Sequence, residues 1–312
     1  MPAELAIFHD WRELPQGARG ASLALGNFDG VHLGHAHVLR TAHAARPDAP
    51  LAVLTFEPHP RELFRPDDPP FRLTLPRERA AALAALGVRL LFELPFSRDF
   101  SLMPAEAFVT GVLRAGLDAR HLTCGPDFAF GHRRGGSTAF LASRAEALGI
   151  GITLATVLSD ETGPITATRI RRALQDGYPE RATAALGRPW AIVGEVMHGD
   201  KRGRTIGFPT ANIALGRHLE PARGVYAATV TLPDGASRAG VANIGRRPTV
   251  DERTESLLEV NVFDYAGDLY DAELSVALHA FLRPEQKFSG IEALRTQIAQ
   301  DAAEARRLLT LL

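Results

Sequence analysis

One cysteine, two lysines and no long apolar run mark this chain of 312 residues by their scarcity. Cys124 alone cannot form an intramolecular disulfide, and a zinc site built on several cysteines is excluded with it. No stretch of about 18 apolar residues occurs, so no bilayer-spanning helix is expected. The opening MPAELAIFHD carries acids and lacks the apolar centre of a secretion signal. A cytoplasmic protein is the expectation. Lys201 and Lys287 are the only lysines among 35 basic residues, and neither follows a glycine. A P-loop needs Gly-Lys-Ser/Thr, so any nucleotide chemistry here has to use another phosphate cradle. A general bias towards arginine explains the imbalance itself.

Charge of one sign is missing as well. The net charge is −1, with a pI near 6.8. No global basic field invites nucleic acid or an anionic membrane, and neither is expected as a partner. What is present is a globular composition: 46% hydrophobic, 23% charged, mean hydropathy −0.04. The length suffices for one large domain or two medium ones, each with its own core.

Two rhythms divide the chain. Apolar runs at Ser22–Gly26, Leu51–Phe56, Leu90–Leu94, His121–Gly125 and Ile152–Val157 start roughly 30 residues apart, the length of a βαβ unit. Helical patterns lie between them, at Pro76–Leu86 with Gly87 as a stop, Pro104–Ala115 and Ser137–Leu148. The natural solution is a doubly wound parallel sheet with helices on both faces. After about Leu186 come β-rich runs with no helix between them, and PDG between Leu232 and Ala236 signals a hairpin turn. Five or six such strands predict a small antiparallel barrel or sandwich. Ile291, Leu294, Ile298, Ala302, Ala305 and Leu309 then mark one face of a terminal helix that packs on it. The boundary falls near Ala182–Pro189, giving domains 1–182 and 183–312.

The stretch ALGNFDGVHLGHAHVL, Ala24 to Leu39, follows the first of those parallel strands, where such sheets bind ligands. Gly26, Gly30 and Gly34 allow close approach, and a helix is expected from Gly34 to Ala45. His32 and His35 stand at its N-terminus, where unpaired amides and the helix dipole favour an anion. Two imidazoles and those amides would cradle a triphosphate. A turn with incidental histidines and a zinc site that recruits His37 or His59 are the alternatives. A dinucleotide fingerprint fails on glycine spacing.

H-x-G-H after a first strand resembles the nucleotidylyltransferase superfamily, which shares the motif with class I aminoacyl-tRNA synthetases. That superfamily carries a second phosphate-binding element, I-S-S-T-x-x-R. Ile165 to Arg171, ITATRIR, resembles it in part: Thr166 keeps a hydroxyl and Ala167 loses one. The resemblance implies phosphate binding by Thr166, Thr168, the amides of a helix N-terminus and Arg169.

HGDKRGRTIGFPTANI, His198 to Ile213, is the densest signal in the chain. Gly199, Gly203 and Gly207 interrupt a cationic run of Lys201, Arg202 and Arg204, a pattern suited to phosphate. Thr210 and Asn212 then offer hard oxygen ligands for Mg2+. A solvated basic hairpin explains the charges but not the Thr/Asn pair. The passage is similar to the nucleotide loop and P-T-A-N motif of riboflavin kinases. With the H-x-G-H half, and with TFEPHPRELF, GPDFAFGHRRGG, GVANIGRRPTV, LLEVNVFDYAGDLYD and FLRPEQKF, nearly the whole chain resembles the prokaryotic bifunctional riboflavin kinase/FMN adenylyltransferase family.

The resemblance implies ATP, riboflavin and FMN as substrates and Mg2+ as the cofactor. It implies phosphorylation of riboflavin in the barrel, with Glu259 as general base, Thr210 and Asn212 at the metal, and Gly199, Lys201, Gly203, Arg204 and Gly207 around ATP. It implies adenylylation of FMN in the first domain by His32, His35, Thr168 and Arg169. Gly26, Asn27, Asp29 and Gly34 would then hold phosphate or metal, and Asp127 and Phe128 would face the flavin. Asn261 stands where family members often carry histidine. A flavin-binding regulatory module with a weakened adenylyltransferase site is the competing expectation, and Ala167 is its motive.

Overall fold

The computed structural model describes residues 5–198, 208–248 and 254–311. The chain forms two compact units, residues 1–68 with 74–165, and residues 69–73 with 166–312.

The first unit is built on six parallel strands: β1 (Ala6–Phe8), β2 (Ser22–Leu25), β3 (Leu51–Glu57), β4 (Leu90–Pro95), β5 (His121–Cys124) and β6 (Gly151–Leu154). Their order is β1-β4-β3-β2-β5-β6. The chain winds one way through β2, β3 and β4 and the other way through β5 and β6. The order reverses between β2 and β5, and the ligand crevice of an open α/β sheet lies beyond the carboxyl ends of such strands. The central strands β2, β3, β4 and β5 are apolar because both faces are covered. Leu23, Leu25, Leu54, Phe92, Leu122 and Cys124 pack with Val109, Val112 and Leu141 in one core cluster. Ala24, Val53 and Leu91 pack with Leu39 and Leu83 in another.

Helices α1 (Leu33–Ala45), α2 (Pro60–Phe64), α3 (Pro76–Ala85), α4 (Arg98–Ser101), α5 (Ala105–Ala107) and α6 (Thr138–Ala147) join the strands, with a small hairpin, β7 (Ser159–Asp160) and β8 (Gly163–Pro164), at the end. Gly87 lies just past α3 with φ +85°, the left-handed stop its sequence predicts. The helix expected over Pro104–Ala115 starts as α5 but runs on as a π-helical stretch, Phe108–Gly116. Arg79 on α3 is fully buried, and its Nη2 donates to Glu57 at 3.1 Å and to Glu93 at 2.6 Å. That pairing ties α3 to β3 and β4.

The second unit opens with α7 (Ala167–Gln175) and α8 (Pro179–Leu186). A closed antiparallel barrel follows: β9 (Trp190–Met197), β10 (Ala211–Ala214), β11 (Gly224–Thr231), β12 (Ser237–Pro248), β13 (Thr254–Val262) and β14 (Glu273–Pro284), in the order β10-β13-β12-β11-β14-β9. Alternation decides its two faces. Ile213, Leu258, Val260, Ala242 and Ile244 are fully buried or nearly so, and they fill the interior. Val225, Ala227 and Val241 point outward and are covered by α9 (Ile291–Leu309) through Ala302, Ala305, Leu308 and Leu309. Ile291, expected on that packed face, is exposed, so the helix docks by its later turns. Asp301 anchors it through a bidentate pair with Arg283, at 3.0 and 2.7 Å.

Residues 69–73 belong to this unit by a strap of hydrogen bonds to their backbone carbonyls. Leu219 N donates to Arg72 O at 2.8 Å, Arg171 Nε to Phe71 O at 2.8 Å and Trp190 Nε1 to Leu73 O at 2.8 Å. Among the described residues no helix is long and apolar enough to cross a membrane.

Candidate active sites

In the first unit the turn after β2 carries unusual backbone. Phe28 (φ 51°), Gly30 (φ 82°) and Val31 (φ 42°) all lie in the left-handed region. For a β-branched valine that is a strained conformation, of the kind that collects at functional sites. The surroundings enforce it. Asp29 is buried, and its Oδ1 accepts the Thr74 amide at 3.0 Å, while Thr74 Oγ1 accepts the Gly30 amide at 2.9 Å. Asp29 therefore braces the turn from below. Asn27 is exposed at the tip, and its carbonyl accepts the Thr55 hydroxyl at 3.1 Å. Thr74, which no motif marks, is the residue that sequence reasoning missed here.

The turn delivers His32 as the N-cap of α1, and His32 and His35 cap one another. His35 N donates to His32 Nδ1 and His32 N to His35 Nδ1, both at 3.3 Å. The rings stack with centroids 3.7 Å apart. Each Nδ1 acts as an acceptor, so in the neutral rings the proton sits on Nε2. Both Nε2–H groups are thus defined as donors at a helix N-terminus, where an anion is favoured. Gly34 makes the packing possible: a Cβ there would lie 3.0 Å from His32 Nδ1 and 3.0 Å from the Ile165 carbonyl. His37 bonds Thr156 at 3.1 Å and His59 caps α2, so neither joins the pair. Among the described residues no group of three or more His, Cys, Asp or Glu is arranged to hold a metal ion.

At the neighbouring strand end, Asp127 is exposed, and Phe128 is half-buried and stacked on Phe130 at 5.5 Å. Phe130 itself is core. An aromatic cluster continues through Phe100, Phe56 and Phe96 to Phe64, which is 62% exposed and 5.9 Å from Phe96. A large exposed aromatic ring beside such a cluster is a ready ligand surface. TFEPHPRELF contains Phe56 and Phe64, but their exposure shows only in three dimensions.

In the second unit Thr166 is the N-cap of α7, its hydroxyl accepting the Arg169 amide at 3.2 Å. Ala167 is the first helical residue and Thr168, the second, is exposed. An N-terminal amide points out of a helix whatever its side chain, so alanine at 167 removes a hydroxyl and no amide donor.

On the barrel, the register aligns three polar residues across three strands. Asn212 on β10 lies opposite Glu259 on β13, which lies opposite Asn243 on β12. Directly paired residues share a face, here the outer one. Asn212 is buried, and its Oδ1 accepts no hydrogen bond among the described residues. Thr210, two residues earlier, lines a cleft of about 560 Å³ with Val196, Val260, Val262, Leu269 and Tyr270. Gly199, Lys201, Gly203, Arg204 and Gly207 lie outside the described residues. The Asn243 partner was missed because register between non-adjacent segments has no short-range signal.

Family models match both units. That for FAD synthetase covers residues 14–169, and that for riboflavin kinase covers residues 186–309. The bifunctional riboflavin kinase/FMN adenylyltransferase of Pseudomonas fluorescens is 42% identical over 292 residues, 93% of each chain. The protein of that name from Escherichia coli K12 is 40% identical, over 97% of this chain and 96% of its own. That from Bacillus subtilis is 38% identical over 96% of each. The fold matches the crystal structure of a macrolide-efflux protein from Streptococcus pneumoniae with a TM-score of 0.86 and 32% identity, covering 97% of this chain and 98% of that one. With both family models matched and relatives aligned along nearly their full length, the chain belongs to the bifunctional riboflavin kinase/FMN adenylyltransferase family.

Proposed function

We propose that this protein makes FAD in two steps: riboflavin and ATP give FMN and ADP, then FMN and a second ATP give FAD and pyrophosphate. The observation that carries this reading is that one chain holds two chemically distinct constellations in separate compact units. One is the mutually capped His32–His35 pair beyond a parallel strand. The other is the Asn212–Glu259–Asn243 row on a barrel. We assign residues 1–182 to FMN adenylylation and 183–312 to riboflavin phosphorylation.

In the barrel, the Glu259 carboxylate takes the proton of the ribityl 5′-hydroxyl as its oxygen attacks the γ-phosphorus and ADP leaves. General-base help of this kind is worth ~10²–10⁴-fold. Mg2+ fits the residues present: a buried Asn212 Oδ1 that accepts no hydrogen bond among the described residues, and a Thr210 hydroxyl, are hard oxygen donors. When bound, the ion supplies charge neutralisation on the transferring phosphates. The apolar side chains of the Thr210 cleft suit the adenine of ATP, and the family pattern alone assigns Lys201, Arg204 and the glycines of that segment to its phosphates.

In the first domain an FMN phosphate oxygen attacks the α-phosphorus in line, and the bond to the bridging oxygen of pyrophosphate breaks. His32 and His35 donate Nε2–H to the charge that develops, each such donor being worth ~10²–10³-fold. Gly26, Asn27 and Gly34 line the approach to the histidine pair, and the family pattern separately assigns phosphate binding to Thr166, Thr168 and Arg169. Asp127, Phe128 and Phe64 face the flavin. Both reactions consume ATP, and the cytoplasm is the compartment we assign.

The test is a time course with riboflavin and excess Mg-ATP that resolves FMN from FAD. Transient FMN followed by FAD is expected. Flavin that binds but is converted to neither would leave only a flavin-binding regulatory protein.

A further inference from the structure

We propose that Asn261 is a positioning residue for riboflavin phosphorylation, its side-chain amide fixing the backbone that presents Thr210 and Asn212. The inference rests on the reading of those two residues as metal and phosphate ligands.

Strand β10 pairs with β13 from Ala211 opposite Val260 to Ala214 opposite Leu257. One step further out the backbone ladder stops. There Asn261 Nδ2 donates to the Pro209 carbonyl at 2.6 Å. Proline has no N–H, so that carbonyl is the one backbone group Pro209 offers to a partner. The side chain thus extends the ladder where the main chain cannot. The pinned carbonyl belongs to the rigid peptide unit between Pro209 and Thr210, so the bond sets the plane from which Thr210 departs. Asn261 also lies two residues beyond Glu259, on the same face of the same strand. One strand therefore carries the proposed base and holds the entry to the proposed ligands. Group transfer is sensitive to this: a misplacement of 1 Å costs about 10²-fold.

The role requires a donor. An ionised aspartate is isosteric with asparagine but only accepts, whereas an imidazole still donates. Full-length Asn261→Asp, Asn261→His and Asn212→Ala proteins are assayed for both activities across a Mg2+ titration. For Asn261→Asp we expect kcat/KM for riboflavin phosphorylation to fall roughly ten-fold, equivalent to about 1.4 kcal/mol. The Mg2+ concentration for half-maximal rate should rise, while FMN adenylylation stays within about two-fold of wild type. Asn261→His should recover most of the loss. Wild-type kinase constants and Mg2+ dependence in Asn261→Asp would overturn the proposal, as would equal loss of both activities or no recovery in Asn261→His. Full kinase activity in Asn212→Ala would instead refute the ligand reading beneath it, and the role of Asn261 would fall with that reading.

Discussion

Replacing Gly34 by alanine places one methyl group between His32 and the Ile165 carbonyl. The new Cβ would sit 3.0 Å from His32 Cε1, His32 Nδ1 and Ile165 O, so a neighbour must give by a few tenths of an ångström. The carbonyl is backbone, which leaves the imidazole to move. That ring is stacked on His35 at 3.7 Å and accepts its amide at 3.3 Å, so the displacement passes to both members of the pair. With 1 Å worth about 10²-fold, a few tenths predicts roughly a 3- to 6-fold loss of FMN adenylylation. Helix propensity acts in the opposite direction, since alanine replaces glycine in the first turn of α1 with a gain of at most about 0.5–1 kcal/mol. The two effects separate cleanly. Pyrophosphate release from FMN and ATP should drop, while the thermal midpoint holds or rises and riboflavin phosphorylation is unchanged. Undiminished adenylylation in a protein of wild-type stability would refute the assignment of the histidine pair to catalysis.

Three further outcomes follow from the same structure. Phe64→Ala should raise KM for FMN roughly 3- to 10-fold without moving the thermal midpoint, because the ring is exposed and contributes little to the core; an unchanged KM would remove it from the flavin surface. Burial pushes the Cys124 thiol up to about 11, so a thiol reagent at pH 8 should label it only as fast as the protein unfolds, and rapid labelling of native protein would contradict its placement. Burial tends to raise the Glu220 carboxyl, but hydrogen bonds from Arg246, Ser256 and Arg223 outweigh it and hold the group at about 2, below the ordinary 4.5. A depressed folded-state value stabilises above the unfolded value and loses that stabilisation as pH falls. Denaturant melts should therefore show Glu220→Gln less stable at pH 7, with the gap to wild type closing as pH falls from 4.5 towards 2.

Much of this architecture follows from local pattern. The strands that begin at Ser22, Leu51, Leu90 and His121 are short apolar runs with clear breaks, and the structure begins each at the same residue. Strand β1 has three residues and too little pattern to announce itself. The π-helical run at Phe108–Gly116 keeps a helical apolar spacing, so sequence alone cannot separate it from an α-helix. The strap at 69–73 escapes for another reason: its bonds go to residues 171, 190 and 219, about 100 or more positions away. The sites divide along the same line. H-x-G-H points to a helix N-terminus, but not to two rings that cap each other and thereby fix their tautomers. Thr210, Asn212 and Glu259 stand out as residue types, yet only the register between β10 and β13 sets Asn212 against Glu259. Local chemistry names the participants, and long-range pairing arranges them.

The most direct measurement of the central claim uses two full-length variants and one assay, product analysis with riboflavin or FMN and excess Mg-ATP. His35→Ala should convert riboflavin to FMN and stop there, and Glu259→Gln should leave riboflavin untouched yet convert supplied FMN to FAD. Loss of both reactions in either folded variant, or FAD formation at the wild-type rate in His35→Ala, would contradict two separate sites on one chain.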